Sequence, residues 1–123
     1  MKVLLVDDEV DFVNSLCKVL TRRGFEVHSA TTAYAALPLI AKESFDVVVL
    51  DVKMPGMDGI QALAEIKRIE PGTQVILLTG HYSPMDEEDT MKSGAFCYLL
   101  KPCTITKLVD AIKAAAEGRC PGP

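Results

Sequence analysis

The segment Val47–Asp51, with the sequence Val-Val-Val-Leu-Asp, is an uninterrupted apolar run that ends on an acid. A second run of this kind, Val3–Val6, is followed at once by Asp7 and Asp8. Continuous apolar runs of this length are typical of strands that are buried on both faces, as in a parallel sheet between helices. These segments therefore favour an α/β protein in which two buried strands each end in carboxylates.

Around these two segments, strand-like and helical stretches alternate five times along the chain. The predicted strands are Lys2–Val6, Phe25–Ala30, Asp46–Leu50, Gln74–Leu78 and Phe96–Leu100. Alternation at this spacing predicts right-handed βαβ crossovers, with helices on both faces of one sheet. The pattern does not determine the order of the strands in that sheet.

The helical stretches carry signals for their buried faces and their ends. The first has a predicted buried face of Val10, Val13, Cys17 and Leu20, and the last has one of Ile105, Leu108, Val109 and Ile112. Thr104 is the predicted N-cap of the last helix, and Gly24 and Gly118 are expected to end the first and the last. Pro38 falls inside the second helical stretch, where it is expected to kink or shorten the helix.

The segment Pro84–Ser93 is a weaker helical stretch, because only Met85 and Met91 are available to anchor it. A helix with so little apolar surface to bury is expected to be among the less stable elements, and such elements are often the ones that move. A poorly anchored surface helix without a regulatory part is the alternative, and it stays open.

Length and composition are those of a single globular domain. The 123 residues are 49% hydrophobic and 24% charged, which is enough to bury a core without disulfides or metal staples. The domain is expected to cover residues 1–118. Two prolines and a glycine lie within residues 119–123, which predicts a flexible tail or the start of a linker.

The balance of charges and the length of the apolar runs argue against several classes of protein. Seventeen acids against thirteen bases give a net charge of −4, which disfavours a general binder of nucleic acid or of anionic membranes. No apolar run approaches the roughly 18 residues that span a bilayer, and the N-terminal residues do not resemble a signal peptide. We therefore expect a cytoplasmic protein with no membrane partner and no direct nucleic-acid partner.

The cysteines and histidines do not form a metal-binding pattern. The four cysteines have no paired C-x-x-C spacing, and neither His28 nor His81 lies at ligand spacing from any of them. These cysteines are Cys17, Cys97, Cys103 and Cys120. We expect reduced thiols, some of them in the core, and no zinc site.

Acidic residues follow two of the predicted strands. Asp7, Asp8 and Glu9 follow the first, and Asp51 follows the third. Loops at the carboxyl ends of parallel strands form the crevice in which such proteins bind ligands, so these acids converge if the two strands are neighbours. Two unit charges about 4 Å apart repel by roughly 4 kcal/mol at an effective dielectric constant near 20. A hard divalent cation would remove this cost, and Mg²⁺ prefers carboxylates, a carbonyl and water as ligands.

Each of these polar residues also has an ordinary interpretation. Residues 7–9 can cap the following helix and complement its dipole, and Asp51 can open the turn through residues 53–59. Lys101, after the fifth strand, is either a solvated lysine or a positive charge facing the same crevice. Thr79, at the end of the fourth strand, is either an ordinary strand residue or a hydroxyl that binds a ligand oxygen. Jointly, the two acidic strand ends favour a site.

Four motifs together carry a resemblance to a known family: Leu4–Glu9, Val49–Gly59, Leu77–Gly80 and Tyr98–Pro102. In this order and at these spacings they resemble the receiver domain of two-component response regulators, over nearly the whole chain from about residue 2 to residue 118. The resemblance implies a flavodoxin-like (βα)5 fold, which is a doubly wound parallel five-stranded sheet in the order 2-1-3-4-5 with helices on both faces.

The resemblance also implies a phosphoacceptor and a Mg²⁺ site. Asp51 resembles the phosphoacceptor, and Asp7 and Asp8 resemble the acidic pair that binds Mg²⁺. Asp8, Asp51 and the main-chain carbonyl of Lys53 would be the direct ligands, with Asp7 acting mainly through water. The donor in this family is a phosphohistidine, on a sensor histidine kinase or phosphotransfer protein. The resulting acyl phosphate hydrolyses readily and so suits a transient signal.

Lys101, Thr79 and Tyr98 take the remaining roles that the resemblance implies. Lys101 would pair with phosphoryl oxygens, and its peptide bond to Pro102 is expected to be cis. Thr79 and Tyr98 match the switch pair, in which the hydroxyl binds the phosphoryl group and the tyrosine moves into the vacated space. The readout would be a shifted surface formed by residues 84–93, the fifth strand and the last helix.

The same resemblance implies the partners and limits the chemistry. The domain would catalyse only its own phosphorylation and dephosphorylation, and the output would come from an effector domain or a second protein. A homodimer through the last helices is a further assembly that the resemblance allows.

Three rival functions fit parts of the pattern. A Mg²⁺-dependent phosphohydrolase has Asp-x-Asp after its first strand and a cap, whereas the acids here are adjacent and no insertion is long enough. A flavodoxin-type mononucleotide binder needs a Ser/Thr/Gly-rich loop where this chain has residues 7–9. A phosphorylation-independent interaction module on the same fold usually lacks the acceptor or the lysine. Asp51 and Lys101 are both present, but this last alternative stays open.

Overall fold

The computed structural model describes residues 1–52, 59–80 and 84–117, and in them five strands alternate with five helices. The strands are β1 (Lys2–Val6), β2 (Glu26–Ala30), β3 (Val47–Asp51), β4 (Gln74–Thr79) and β5 (Cys97–Leu100). The helices are α1 (Val10–Arg22), α2 (Ala33–Lys42), α3 (Gly59–Ile69), α4 (Pro84–Lys92) and α5 (Ile105–Ala116). All strands are parallel, in the order β2-β1-β3-β4-β5. This confirms the α/β class and the implied strand order.

Two apolar layers cover the two faces of the sheet. Alternate residues of β1 contribute to them: Leu4 and Val6 pack with α2 and α3, and Val3 and Leu5 pack with α1 and α5. Strands β1 and β3 are therefore covered on both sides. This double burial is the physical reason for their continuous apolar sequence.

Two strands extend one residue further than predicted, and the extra residues are functional candidates. β3 includes Asp51, which lies opposite Leu78 in the register between β3 and β4. β4 includes Thr79, which lies opposite Leu100 of β5. The backbone of Asp51 and Thr79 is therefore held by the sheet itself.

The buried face of α1 differs from the prediction. Val13, Leu16 and Leu20 are buried, whereas Val10 is 53% exposed and Cys17 is half-buried. Compared with the predicted face, the observed buried face is rotated around the helix towards Leu16. At 100° per residue, Val10 lies about 90° from the centre of this observed face. The prediction that Val10 belongs to this face is wrong, because the packing of α1 against the sheet selects a different stripe of the helix.

The predicted features of the last helix and of Pro38 have mixed outcomes. In α5, Leu108, Val109 and Ile112 are buried, and the Thr104 hydroxyl oxygen accepts a hydrogen bond from the Lys107 main-chain nitrogen at 3.1 Å, as an N-cap does. Helix α2 continues through the exposed Pro38 to Lys42, so the proline does not end it. Gly118 lies outside the described residues, as does the predicted tail, residues 119–123.

Helix α4 is anchored differently from the prediction. Met85 is 74% exposed and Met91 is 45% exposed, so neither is the anchor that the sequence suggested. Thr90 is fully buried instead, and its hydroxyl donates a hydrogen bond to the Glu87 carbonyl at 2.9 Å. Because the hydroxyl is satisfied within the helix, this small side chain can pack inward. Both methionines lie about 100° or more around the helix from Thr90.

The three described cysteines carry free thiols, as expected. Burial raises the pKa of the Cys97 thiol to about 11, and the nearby Cys103 acts in the same direction. Burial also raises the pKa of Cys17 and of Cys103. Cys120 lies outside the described residues. Among the described residues, the structure contains no helix that could span a membrane.

Candidate functional site

The carboxyl ends of β1, β3 and β4 bring the predicted polar residues to one edge of the sheet. Asp7 directly follows β1, Asp51 ends β3 and Thr79 ends β4. Because β1 and β3 are hydrogen-bonded neighbours, with Val6 opposite Leu50, the two acidic strand ends lie side by side. The sequence predicts that the acids converge if β1 and β3 are neighbours. The strands are neighbours, and the acids therefore lie together.

Main-chain hydrogen bonds just beyond the strands fix the backbone of two site residues. The Asp7 nitrogen donates to the Ala30 carbonyl at 3.1 Å, and the Lys101 nitrogen donates to the Thr79 carbonyl at 2.7 Å. The peptide bond from Lys101 to Pro102 is cis, as expected. The side chains of Asp7 and Lys101 therefore project from backbone that is anchored to the sheet.

Three carboxylates form a cluster at this edge. Asp7, Asp8 and Asp51 each offer an oxygen atom, and these atoms lie within 4.8 Å of one another. Asp7 is 4% exposed and Asp51 is 7% exposed, whereas Asp8 is open to solvent. At 4.8 Å, the largest separation among these atoms, a pair of charges repels by roughly 3.5 kcal/mol at an effective dielectric constant near 20. A nearby positive charge would therefore stabilise the cluster, and its carboxylate oxygens are the kind of ligand that Mg²⁺ prefers.

The Lys101 ammonium supplies part of that positive charge. Its Nζ lies 2.7 Å from Asp7 Oδ2, 3.1 Å from Glu9 Oε1 and 3.9 Å from Asp51 Oδ2, on a side chain that is 16% exposed. Burial by itself lowers the pKa of Lys101, but the hydrogen bonds that its ammonium donates to Asp7 and Glu9, together with the nearby negative charge of Asp51, outweigh burial. The pKa is therefore raised above its ordinary value of 10.5. Lys101 is charged at neutral pH and faces the cluster.

The ordinary interpretation of residues 7–9 as helix caps holds only in part. The Asp7 Oδ1 atom accepts a hydrogen bond from the Glu9 nitrogen at 2.9 Å, which shapes the turn into α1. Glu9 is the N-cap residue of α1, but its side chain makes no capping hydrogen bond. The Glu9 carboxylate binds Lys101 instead, a contact that the sequence did not predict.

Gly59, the first residue of α3, fixes the end of β3 by close contact. A Cβ at this position would lie 2.5 Å from the Val52 Cα, and the Gly59 nitrogen donates to the Val52 carbonyl at 2.7 Å. Only a residue without a side chain permits this approach. The motif through residues 49–59 contains this glycine, but its packing role beside Asp51 is visible only in the structure.

The two candidate switch residues lie on neighbouring strands. Thr79 is 1% exposed at the end of β4. Tyr98 lies in β5 opposite Leu77, is half-buried and packs against the apolar layer on the α2 and α3 side. Lys53, whose carbonyl is the remaining predicted metal ligand, lies outside the described residues.

A doubly wound sheet with an acidic cluster and a lysine at its carboxyl edge defines the receiver type of α/β domain. The chain belongs to the response regulator receiver domain family, whose family model matches residues 3–113. It is accordingly a receiver domain of two-component response regulators, as the sequence motifs predicted.

Known relatives agree with this assignment. The chain is 39% identical to the response regulator protein FleR of Pseudomonas aeruginosa over 98% of this chain and 26% of that protein. It is 35% identical to sporulation initiation phosphotransferase F of Bacillus subtilis over 91% of this chain and 90% of that protein. The solution structure of the beryllofluoride-activated NtrC4 receiver domain dimer superposes with a TM-score of 0.90 at 37% identity, over 95% of this chain and 97% of that one.

The length of these matches differs between relatives. The chain spans about a quarter of the length of the first curated relatives that it matches. By contrast, it spans most of the length of the phosphotransferase. Receiver domains of this family therefore occur both within longer regulators and in short proteins.

Proposed function

We propose that Asp51 accepts a phosphoryl group in a Mg²⁺-dependent transfer from a phosphohistidine. The observation that carries the proposal is that the Asp51 carboxylate lies beside the Asp7 and Asp8 carboxylates, with the Lys101 ammonium 3.9 Å away. The donor would be a sensor histidine kinase or a phosphotransfer protein. Phosphoryl transfer depends mainly on positioning and on neutralising charge, and both are supported by this arrangement.

In the proposed reaction, an Asp51 carboxylate oxygen attacks the phosphorus atom while the bond from phosphorus to the donor histidine nitrogen breaks. The product is an acyl phosphate, and the donor histidine, which carries a proton on its other ring nitrogen, takes the electron pair of the broken bond and leaves as neutral imidazole. Asp8, Asp51 and the Lys53 carbonyl would hold Mg²⁺ directly, with Asp7 acting mainly through water. When bound, Mg²⁺ neutralises negative charge on the transferred group.

Lys101 has a defined task in this reaction. Its ammonium is shared in the resting site by Asp7 and Glu9, and Asp51 lies 3.9 Å away. A phosphoryl group on Asp51 adds oxygen acceptors near this ammonium, so that Lys101 exchanges a carboxylate partner for a phosphoryl oxygen. The exchange keeps the lysine paired throughout.

The proposed response to phosphorylation runs through Thr79 and Tyr98. The Thr79 hydroxyl would donate a hydrogen bond to the phosphoryl group, and Tyr98 would move into the vacated space. The surface formed by α4, β5 and α5 would then shift. Helix α4 suits such a change because its large apolar side chains at 85 and 91 are exposed, so its repositioning disrupts little core packing.

We place this domain in the cytoplasm, where its output would come from an effector domain or a second protein. The domain would catalyse only its own phosphorylation and dephosphorylation. A homodimer is supported by the dimeric NtrC4 receiver domain to which this chain is similar. A phosphorylation-independent interaction module is the alternative to be tested against.

The test is incubation with acetyl phosphate and Mg²⁺, followed by intact-mass measurement. We expect one phosphate adduct on the parent chain and none on Asp51→Asn or in the presence of EDTA. An adduct that survives in Asp51→Asn would overturn the assignment of the acceptor. A parent chain that takes up no phosphate would favour the interaction module.

The switch is tested separately, with beryllofluoride as the phosphoryl mimic. We expect the amide NMR signals of α4 and β5 to shift when the mimic binds. Binding that leaves the signals of α4 and β5 unmoved would contradict the proposed readout surface, without affecting the assignment of Asp51.

A further inference from the structure

We propose that Phe12 is a positioning residue for phosphoryl transfer, whose ring holds the Lys101 ammonium beside the Asp51 carboxylate. The proposal rests on the proposed function, because it assigns Phe12 a task through Lys101.

The contact has the geometry of a cation–π interaction. Lys101 Nζ lies 4.9 Å from the centroid of the Phe12 ring, inside the limit of about 6 Å for this attraction. Phe12 belongs to the first turn of α1, is half-buried and packs against the apolar layer between α1, α5 and the sheet. The ring is therefore held by the core and does not depend on the lysine for its position.

The surroundings of Lys101 leave it room to move on one side. A cavity of about 410 Å³ is lined by both Lys101 and Phe12. Close packing does not hold the lysine on the cavity side. On that side, the ammonium is held by its attraction to the carboxylates and to the Phe12 ring.

The ring differs from the carboxylates in what happens when the phosphoryl group arrives. Hydrogen bonds from Lys101 to Asp7 and Glu9 are directional and weaken when the ammonium turns towards a new acceptor. The attraction of the ammonium to the face of a ring persists when the ammonium turns by a small amount. Unlike a carboxylate, the ring does not need to accept a hydrogen bond from a particular ammonium proton. Phe12 is therefore suited to hold Lys101 both before and after it binds the phosphoryl oxygen.

Two substitutions of Phe12 separate the aromatic face from simple bulk. Phe12→Leu keeps an apolar side chain but removes the ring, and Phe12→Tyr keeps the ring. The chain also offers a matched control, because the Lys2 ammonium lies 5.2 Å from the Phe45 ring at the opposite edge of the sheet. Phe45→Leu removes a second cation–π contact and also part of the core, since Phe45 is 4% exposed.

The experiment measures the rate of phosphorylation by acetyl phosphate with Mg²⁺, using intact mass. We expect Phe12→Leu to be slower by about threefold to tenfold and Phe12→Tyr to stay within about twofold of the parent. Phe45→Leu should lower thermal stability without changing the rate. The affinity for Mg²⁺, followed by NMR titration, should not change in Phe12→Leu, because the carboxylates remain.

A second readout does not depend on activity. The ring should shift the NMR signals of the Lys101 εCH₂ group upfield in the parent and in Phe12→Tyr, and this shift should be lost in Phe12→Leu. Parent-like rates in Phe12→Leu, or an equal loss in Phe12→Tyr, would overturn the proposal while leaving Asp51 as the acceptor. A parent chain that cannot be phosphorylated would overturn the proposed function, even where the εCH₂ shift is present.

Discussion

Two lysines at opposite edges of the sheet have closely similar neighbours. Lys2 begins β1, and Lys101 follows β5. Each ammonium lies 2.7 Å from a carboxylate oxygen, and each lies near a phenylalanine ring, 5.2 Å from Phe45 for Lys2 and 4.9 Å from Phe12 for Lys101. The list of contacts alone would not tell a structural lysine from a functional one.

The difference lies in how many carboxylates surround each ammonium. At the Lys2 edge, two carboxylates share the ammonium, Glu43 at 2.7 Å and Glu26 at 3.6 Å, and the Glu26 carboxylate also lies 3.0 Å from the His28 ring nitrogen. At the other edge, the ammonium of Lys101 is shared by a cluster of buried and exposed carboxylates. Ion pairs with a small excess of acid stabilise the fold modestly, whereas the larger excess of negative charge around Lys101 favours the binding of a cation.

The largest expected effect is a difference in phosphorylation rate between alanine substitutions of the two lysines. Lys101→Ala should slow phosphorylation by acetyl phosphate by about 100-fold, because removing a fixed charge-stabilising donor typically costs that much or more. Lys2→Ala should leave the rate unchanged. Intact-mass time courses measure both rates. A comparable loss in Lys2→Ala would mean that general stability, and not the local charge, controls the reaction.

The next effect concerns the cation. At a Mg²⁺ concentration 100 times its dissociation constant, the free energy of unfolding should rise by about 2.7 kcal/mol. Most of this gain should vanish in Asp8→Asn, an exposed position at which the substitution leaves the core intact, and it should persist in Glu43→Gln at the Lys2 edge. Urea titrations at constant ionic strength measure the gain. If Glu43→Gln removed the gain in unfolding free energy instead, Mg²⁺ would be binding at the Lys2 edge, and the prediction would be wrong.

Without Mg²⁺, the same two variants should move in opposite directions. Asp8→Asn should be more stable than the parent, because it relieves repulsion within the cluster by about 1 kcal/mol after screening by solvent. Glu43→Gln should be slightly less stable, because it loses the ion pair with Lys2. A destabilised Asp8→Asn in the metal-free protein would contradict the assignment of unbalanced charge to this edge.

The smallest effect is the response to alkaline pH. Because the pKa of Lys101 is raised by folding, its contribution to stability is fully present below about 10.5 and is lost as the pH rises through the higher pKa of the folded state. The stability difference between the parent and Lys101→Met should therefore shrink above pH 10.5, by less than about 1 kcal/mol. Unfolding measured across this range checks the sign, and a widening difference would contradict it.

Local patterns predicted much of the fold. The apolar runs of β1 and β3, the hydroxyl cap at Thr104 and the acids after two strands all follow from residues close together in the chain. Each prediction depends on short-range periodicity, capping or burial of a continuous run. The motifs added the strand order through a resemblance, because nothing in the local pattern orders strands that pair across long connections.

The errors share one physical cause. The sequence pattern puts Val10 on the buried face of α1 and offers only two methionines as anchors for α4, but all three side chains are exposed. Periodicity identifies the residues that can share a face, but packing against the sheet decides which of the compatible faces turns inward. The small Thr90 is buried in α4 because the space beside the sheet, and not hydrophobicity alone, selects the side chain.

The acids that end strands and the lysine that follows β5 are readable in the chain, because strand ends and turn residues are local features. How these charges are shared is not readable there. Glu9 and Lys101 meet across 92 residues of sequence, and Phe12 reaches the same ammonium from the first turn of α1. Such contacts depend on strand register and helix packing, which are set by the whole core and by no single segment.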